Sequence, residues 1–178
     1  GGHRTPFLVR WPGNVKPGST SSQTICTSDL LATLADILGR RGKLPATAGE
    51  DSFSFLPALL GKAGKRPLRP FTIHHSINGS FAIRRGPWKL ILCPGSGGWS
   101  NPRPAQALKN KNLHLVQLYN LDDDPAEKNN LADQKRPVVN ELVAELATAI
   151  ASGRTNPGPK QSNEGRPNTF HPRVLARF

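Results

Sequence analysis

Five side chains have types that commonly carry chemistry or bind ligands: His3, the adjacent pair His74 and His75, and the cysteines Cys26 and Cys93. An imidazole can donate or accept a hydrogen bond, and near its usual pKa of about 6.5 it gains a charge that attracts anions. The cysteines have neither CxxC spacing nor a group of histidines nearby, so no zinc site is expected. Two separately buried thiols are favoured over a disulfide, but the sequence leaves the pairing open.

The composition is strongly basic. The chain has 178 residues, with 24 Lys and Arg against 12 Asp and Glu, and its formal net charge is +12. Such a charge favours anionic partners, among them sulfated and phosphorylated molecules. The basic residues are scattered and no RNA-binding aromatic motif is present, so no nucleic-acid partner is expected. No apolar run approaches the roughly 20 residues of a membrane span, so none is predicted.

The first third of the chain reads as part of an α/β layer. Residues 6–13 form an apolar run between prolines, which predicts a strand. Apolar residues at helical spacing predict a helix over residues 29–38, with Ser28 as its N-cap and Gly39 as its end. Residues 55–61 predict a further short helix.

After Pro70 the pattern changes to short strands. Four of them are predicted, at residues 71–77, 80–84, 88–92 and 115–121. Asn78-Gly79 is a strong hairpin signal between the first two, and residues 94–112 read as a long loop. Lys89 and Arg84 are expected on a solvated face. A helix over residues 137–152 carries its apolar residues on one side.

These elements predict an α+β fold with three regions. Residues 1–66 resemble the end of an unfinished α/β layer. Residues 67–153 form an antiparallel sheet of four strands with one C-terminal helix against a face. Residues 154–178 are polar and rich in proline, and are expected to run over the surface as a tail.

Five segments follow one another in an order that matches a known pattern. Residues 1–13 contain Gly-Gly-x-Arg-x-Pro before the predicted strand, and 27–39 hold the helix that comes next. Residues 51–61 contain Ser-x-Leu-Pro-x-Leu-x-Gly, with Glu50-Asp51 in place of the usual Asp-Gly. Residues 81–90 form a hairpin, and 117–131 contain the more specific L-Y-x-L-x-x-D-P-x-E-x-x-N-L pattern. In this order the segments resemble the C-terminal part of an arylsulfatase A-like, type I sulfatase.

The resemblance implies the fold and the reaction. The fold would be the end of an alkaline-phosphatase-like α/β sulfatase domain followed by the antiparallel sheet and its helix. Type I sulfatases hydrolyse sulfate esters with a formylglycine nucleophile and a calcium ion. The residues around Cys26 and Cys93 lack the Pro or Ala and the Arg of the formylglycine motif. No catalytic residue and no metal ligand is therefore placed in this chain, and Ca²⁺ is expected to bind residues of the full-length enzyme that lie outside it.

Substrate contact is the role that remains for this chain. By the resemblance, His3 adjoins an active-site Lys that would precede Gly1. His74 and His75 end a strand in the subdomain expected at the rim of the pocket. Because successive strand residues face opposite sides, at most one of this pair is expected to face a ligand. Trp99 is a further candidate for stacking on a sugar ring.

The leading interpretation is the C-terminal part of an enzyme that hydrolyses a sulfated carbohydrate or an aryl sulfate. The chain lacks Met and begins Gly1-Gly2, so we interpret it as a fragment, inactive by itself. The alternative is a non-catalytic module that binds sulfated glycans through the net charge of +12. A phosphatase or phosphoglycerate-mutase relative is disfavoured by the pattern at residues 118–131. The resemblance also favours export to the periplasm or the extracellular space.

Overall fold

The computed structural model describes residues 5–163. They divide into two compact units, one of residues 5–70 with 149–163 and one of residues 71–148. The division at residues 66 and 153 that the sequence suggests stays a prediction. In chain order the elements are α1 (Leu30–Ile37), α2 (Leu56–Leu59), β1 (Thr72–His75), β2 (Phe81–Arg85), β3 (Trp88–Ile91), α3 (Pro104–Lys109), β4 (Gln117–Asn120) and α4 (Arg136–Ser152).

Helix α1 forms where the apolar spacing predicts it, but its start differs from the prediction. A 3₁₀ turn, Thr27–Asp29, precedes the helix, and the Asp29 carboxylate accepts the Cys26 N–H at 2.8 Å. Ser28 is not the N-cap, because its hydroxyl points away and donates to the carbonyl of Asp51 at 3.4 Å. In the first turn of α1 it is Ser52 Oγ that accepts a free amide, the N–H of Ala32 at 2.9 Å, and Asp29 makes no side-chain cap to this helix.

The predicted strand at residues 6–13 is wrong for the described residues. Residues 5–11 have no regular secondary structure, and Leu8 is 93% exposed. A strand needs a neighbour to complete its hydrogen-bond ladder, and the four-stranded sheet of the described chain does not include this segment. Apolar composition alone therefore did not decide the backbone conformation here.

A buried ion pair organises the first unit. Asp29 and Arg69 are 1% and 4% exposed, and Arg69 Nη1 lies 2.9 and 3.0 Å from the two carboxylate oxygens. The same carboxylate accepts the Phe53 N–H at 2.9 Å. Thr33 extends the network, since its hydroxyl donates to the Asp29 carbonyl and accepts the N–H of Phe55. The network ties α1 to the segment that leads into α2.

Arg154 fixes the chain that follows α4. Its side chain donates to the carbonyls of Asn156, Pro159 and Ala46 at 3.0, 2.8 and 3.3 Å, and to Asn156 Oδ1. The residue is only 9% exposed. Asn156 in turn donates to the carbonyls of Gly49 and Ser52. Residues 154–156 are thus hydrogen-bonded into the first unit.

We expect Arg154→Lys to lower the free energy of unfolding by about 2 kcal/mol. A lysine carries one ammonium group and cannot reproduce the planar fork that reaches several carbonyls, so buried acceptors lose their donors. Urea unfolding of the chain measures the change. Arg41→Lys is the matched control because the Arg41 side chain is 83% exposed, and it should alter stability by less than about 0.5 kcal/mol. Equal effects of the two substitutions would contradict the role given to Arg154.

The second unit contains the predicted sheet. Its strands lie in the order β1-β2-β3-β4, and each pairs antiparallel with the next. The register joins His74 to Ala82 and Leu90 to Leu118. The hairpin predicted from Asn78-Gly79 is present, with Gly79 at φ 80°, a value that favours glycine. The predicted four-stranded antiparallel sheet is confirmed.

One face of the sheet forms a core with α4. Fully buried aliphatic side chains come from both: Ile83, Leu90, Leu118, Leu142 and Leu146, each 0% exposed. Arg85, on the same face as Ile83, donates to Glu141 of α4 at 2.6 Å. Each such aliphatic side chain stabilises the fold by roughly 1.5–3 kcal/mol through removal of apolar surface from water. The predicted packing of the last helix on the sheet is confirmed.

Lys89 does not lie on a solvated face as predicted. It is 4% exposed, and its Nζ lies 2.8 Å from both carboxylate oxygens of Glu127. Glu127 adopts φ 56°, which is uncommon for a residue with a Cβ. The carboxylate of Glu127, 38 residues away in the sequence, compensates the charge of the buried Lys89. Arg84 is half-buried and donates to the nearby carbonyl of Gly86.

Helix α3 lies inside the segment predicted to be one long loop. It starts at Pro104, which is pre-organised for the first helical turn, and it buries Ala107 at 1% exposure. The composition did not predict this short helix, because the surrounding residues are mostly Pro, Gly, Ser and Asn, which are typical of loops.

Candidate functional site

The sheet face opposite α4 carries a group of polar side chains at one end. Alternation along the strands puts His74, Ser76, Ser80 and Cys93 on this face, together with Gln117, which pairs with Ile91. The N–H of Ser76 bonds to the carbonyl of Ser80 at 3.0 Å. We call this surface the His74 face.

The loop after β3 is anchored on the His74 face. Gln117 Nε2 donates to the carbonyls of Cys93 and Gly95 at 2.6 and 2.8 Å. Gly97 is buried at φ +63°, and a Cβ there would lie 2.6 Å from Ser76 Oγ and 3.0 Å from Cys93 Sγ. Only glycine allows this approach of loop to strand. The anchored loop presents Trp99, which is 75% exposed.

The predicted histidines have different surroundings. His74 is half-buried and its Nε2 is shielded from solvent. His75 is exposed and meets the ring of Phe81 edge-on, with centroids 4.2 Å apart. As successive strand residues they face opposite sides, so His74 alone shares a face with the anchored loop. His3 lies outside the described residues, and a substrate contact by any of the three stays a prediction.

The cysteines are free thiols in different units of the chain. Cys93 is buried, whereas Cys26 is only half-buried, so the expectation of two buried thiols holds for Cys93 alone. Burial raises the pKa of both thiols, and the positive charge of Arg69 partly opposes this rise at Cys26. A thiol with a raised pKa is mostly protonated at neutral pH and is a weak nucleophile.

The described residues do not fit a calcium ion. No three His, Cys, Asp or Glu side chains between residues 5 and 163 are placed to hold a metal. Calcium takes six to eight oxygen ligands, and the carboxylates of buried Asp29 and half-buried Glu127 already face Arg69 and Lys89. These carboxylates therefore have a structural role and are not assigned as calcium ligands. In the same residues, no helix is long and apolar enough to cross a membrane.

The sequence pattern did not identify the residues that place the loop. It assigned Gln117 only to a strand, and it gave Ser76 and Gly97 no role. The Gly95–Gly98 segment contained a signal, because Gly97 and Gly98 follow each other in a loop and two adjacent glycines indicate a close backbone approach. The sequence did not indicate that Ser76 would be the neighbour.

Comparison of sequences identifies several related proteins. The chain is 37% identical over 152 residues to an N-acetylgalactosamine-6-O-sulfatase of Bacteroides thetaiotaomicron, a match that covers 84% of this chain and 27% of that protein. It is 30% identical over 183 residues to arylsulfatase A of Bos taurus, covering 96% of this chain and 35% of the relative. The chain thus spans about a quarter to a third of the length of these relatives. No protein-family profile matches the sequence.

Comparison of structures agrees with the sequence matches. A solved structure from work on the metabolism of multiple glycosaminoglycans by Bacteroides thetaiotaomicron superimposes with a TM-score of 0.64 at 33% identity, covering 81% of this chain and 28% of that one. The match confirms the predicted fold class, the end of an alkaline-phosphatase-like sulfatase domain followed by the antiparallel sheet. The chain belongs to the sulfatase family and corresponds to a C-terminal region of its longer members.

Proposed function

We propose that the complete protein hydrolyses sulfate esters of a carbohydrate, and that this chain supplies structure and part of the substrate pocket. The observation that carries the proposal is the 37% identity over 152 residues to an N-acetylgalactosamine-6-O-sulfatase. Sugars that carry a 6-O-sulfate on N-acetylgalactosamine are therefore the first substrates to test. Aryl sulfates are the second, because arylsulfatase A is also a relative.

The division of labour follows from the residues that the chain offers. Neither Cys26 nor Cys93 lies in the motif from which formylglycine is made, and no group of His, Cys, Asp or Glu in the described residues is placed to hold a metal. The formylglycine and the calcium ion of a type I sulfatase would therefore be held by residues outside this chain. The His74 face and its anchored loop offer imidazole, hydroxyl, amide and indole groups, which suit contacts to a sugar.

The first experiment compares the 178-residue chain with the complete reading frame. We expect the chain alone to show no turnover of p-nitrophenyl sulfate in the presence of calcium, and the complete protein to release sulfate from 6-O-sulfated N-acetylgalactosamine. Turnover by the chain alone would contradict the proposed division of labour. If the complete protein bound sulfated glycans without hydrolysing them, the alternative would hold, a binding module that uses the net charge of +12.

Substrate contact by the histidines is tested in the complete protein. His74→Ala should lower kcat/KM on a sulfated saccharide by roughly tenfold or more, because a lost contact that leaves a buried partner costs about 1–3 kcal/mol. The rate on a small aryl sulfate should change much less. His3→Ala and His75→Ala test the other two candidates in the same assay.

His114→Ala is the matched control, since the His114 side chain is 60% exposed and lies beside Asp133. It should leave both rates within about twofold, the size of an ordinary surface change. If His3→Ala, His74→Ala and His75→Ala all behave like this control, the histidines are structural and the substrate-contact role is wrong.

A further inference from the structure

We propose that Trp99 is a stacking platform for a sugar ring of a sulfated oligosaccharide, and that it determines the preference of the enzyme for glycan chains over small sulfate esters. The proposal rests on the proposed function and names a specificity residue for it. It is carried by three observations: the exposure of the indole, the hydrogen bonds that anchor the loop before it, and the charge of the surrounding sequence.

The indole is exposed on a loop that is held in place. Trp99 is 75% exposed, whereas Trp11 and Trp88, the other two tryptophans, are at least half-buried. The loop before it is fixed by the two bonds from Gln117 and by the close approach of Gly97 to Ser76. A further bond joins the N–H of Gly98 to Ser96 Oγ at 3.1 Å. Ligand binding to the indole therefore orders little backbone, and a tryptophan side chain has only two rotatable bonds to fix.

The charge of the region favours an anionic ligand. Residues 71–121 contain no Asp or Glu at all, while six basic residues lie there: Arg84, Arg85, Lys89, Arg103, Lys109 and Lys111. Lys89 pairs with Glu127 and Arg85 pairs with Glu141. Within the described residues, the other four basic side chains form no such ion pair with a carboxylate. The segment itself adds no negative charge, and its positive charges attract a sulfated chain over a distance of about 10 Å at 0.1 M salt.

The chemistry of the loop suits a sugar better than a protein. Between residues 95 and 101 the loop offers Ser96, Ser100 and Asn101, and Trp99 is its one large apolar side chain. A sugar ring has a face of C–H groups that packs on an indole and hydroxyls that bond to such polar neighbours. A protein interface of ordinary stability buries about 800 Å² on each partner, far more than one indole supplies.

The experiment measures binding and turnover in the complete protein with Trp99→Ala and Trp99→Phe. The probe is a tetrasaccharide that ends in 6-O-sulfated N-acetylgalactosamine. We expect Trp99→Ala to raise Kd and KM for this probe by about tenfold, equivalent to about 1.4 kcal/mol, with kcat/KM on p-nitrophenyl sulfate within twofold of the parent. Trp99→Phe should restore most of the affinity because it keeps an aromatic face.

A matched control and two further measurements separate stacking from other effects. Leu108→Ala removes a different exposed apolar side chain, 67% exposed on α3, and should leave Kd unchanged. The loss with Trp99→Ala should be the same at about 50 and about 200 mM salt, because stacking is not screened as charge attraction is. The tetrasaccharide should also protect tryptophan fluorescence from acrylamide in the parent and not in Trp99→Phe.

The outcomes distinguish this proposal from the proposed function. Glycan binding that depends on Trp99, without hydrolysis by the complete protein, would support the platform and contradict the sulfatase activity. Hydrolysis with the same Kd and KM in the parent and in Trp99→Ala would overturn the platform alone. Sedimentation of the parent and of Trp99→Ala compares their oligomeric states. If the substitution changes the oligomeric state but not glycan binding, Trp99 is a protein contact and the platform proposal is overturned.

Discussion

Leu146→Asp is expected to lower the free energy of unfolding of the sheet and its helix by about 4 kcal/mol. Leu146 is 0% exposed in the middle of α4. An aspartate there must either bury a charge among aliphatic side chains or be protonated at neutral pH, and both cost free energy. Urea unfolding followed by circular dichroism measures the loss.

Thr148→Asp is the matched control. Position 148 lies two residues further along the same helix and is exposed, and Thr and Asp have similar helix propensities. The control should cost less than about 1 kcal/mol. If Leu146→Asp does not fold, Leu146→Ala replaces it, with an expected loss of about 3 kcal/mol from the cavity. A cost below about 1 kcal/mol for Leu146→Ala would mean that α4 does not pack on the sheet as described.

Asp29→Ala is expected to destabilise the first unit by about 3–5 kcal/mol, because removing one partner of a buried ion pair leaves a buried charge uncompensated. The Arg69 side chain is 3% exposed, so water cannot replace the lost carboxylate. The substitution also takes the acceptor from the N–H groups of Cys26 and Phe53. The change in urea midpoint, monitored by Trp fluorescence, gives the magnitude.

A double substitution separates the charge from the packing. Asp29→Ala with Arg69→Met should recover a large part of the loss, because apolar replacements of a buried pair are often nearly neutral. Asp133→Ala is the surface control: Asp133 and Arg136 lie 3.0 Å apart but are 60% and 63% exposed, so it should cost less than about 1 kcal/mol. An Asp29→Ala cost no larger than the cost of this control would show that the pair does not organise the unit.

The prediction of the candidate site from sequence was partial. The pattern placed His74 and His75 at the end of a strand and on opposite faces, which the structure confirms. It did not show that the loop with Trp99 lies on the His74 face, because this depends on the contact of Gly97 with Ser76 and on bonds from Gln117, 22 and 24 residues away. Pairwise contacts at such separations leave no periodic signal in a single sequence.

The sequence by itself determined the secondary-structure elements that depend on local residue patterns, and it indicated the protein family. Asn78-Gly79 predicts its hairpin because few residues adopt the turn it requires, and the spacing of Val139, Leu142, Leu146 and Ile150 predicts the buried side of α4. The order of motifs up to Asn130-Leu131 indicated the sulfatase family, which the relatives bear out.

Only the tertiary structure decided which charged and polar residues are buried and which partners they meet. Lys89 is buried because Glu127 comes to it from another part of the chain, and Asp29 meets Arg69 across 40 residues. Burial of a charge can lower or raise the stability of the fold. The sign depends on the distance to a counter-charge and on the exclusion of water. Neither quantity is encoded in local spacing; both arise when the chain is packed.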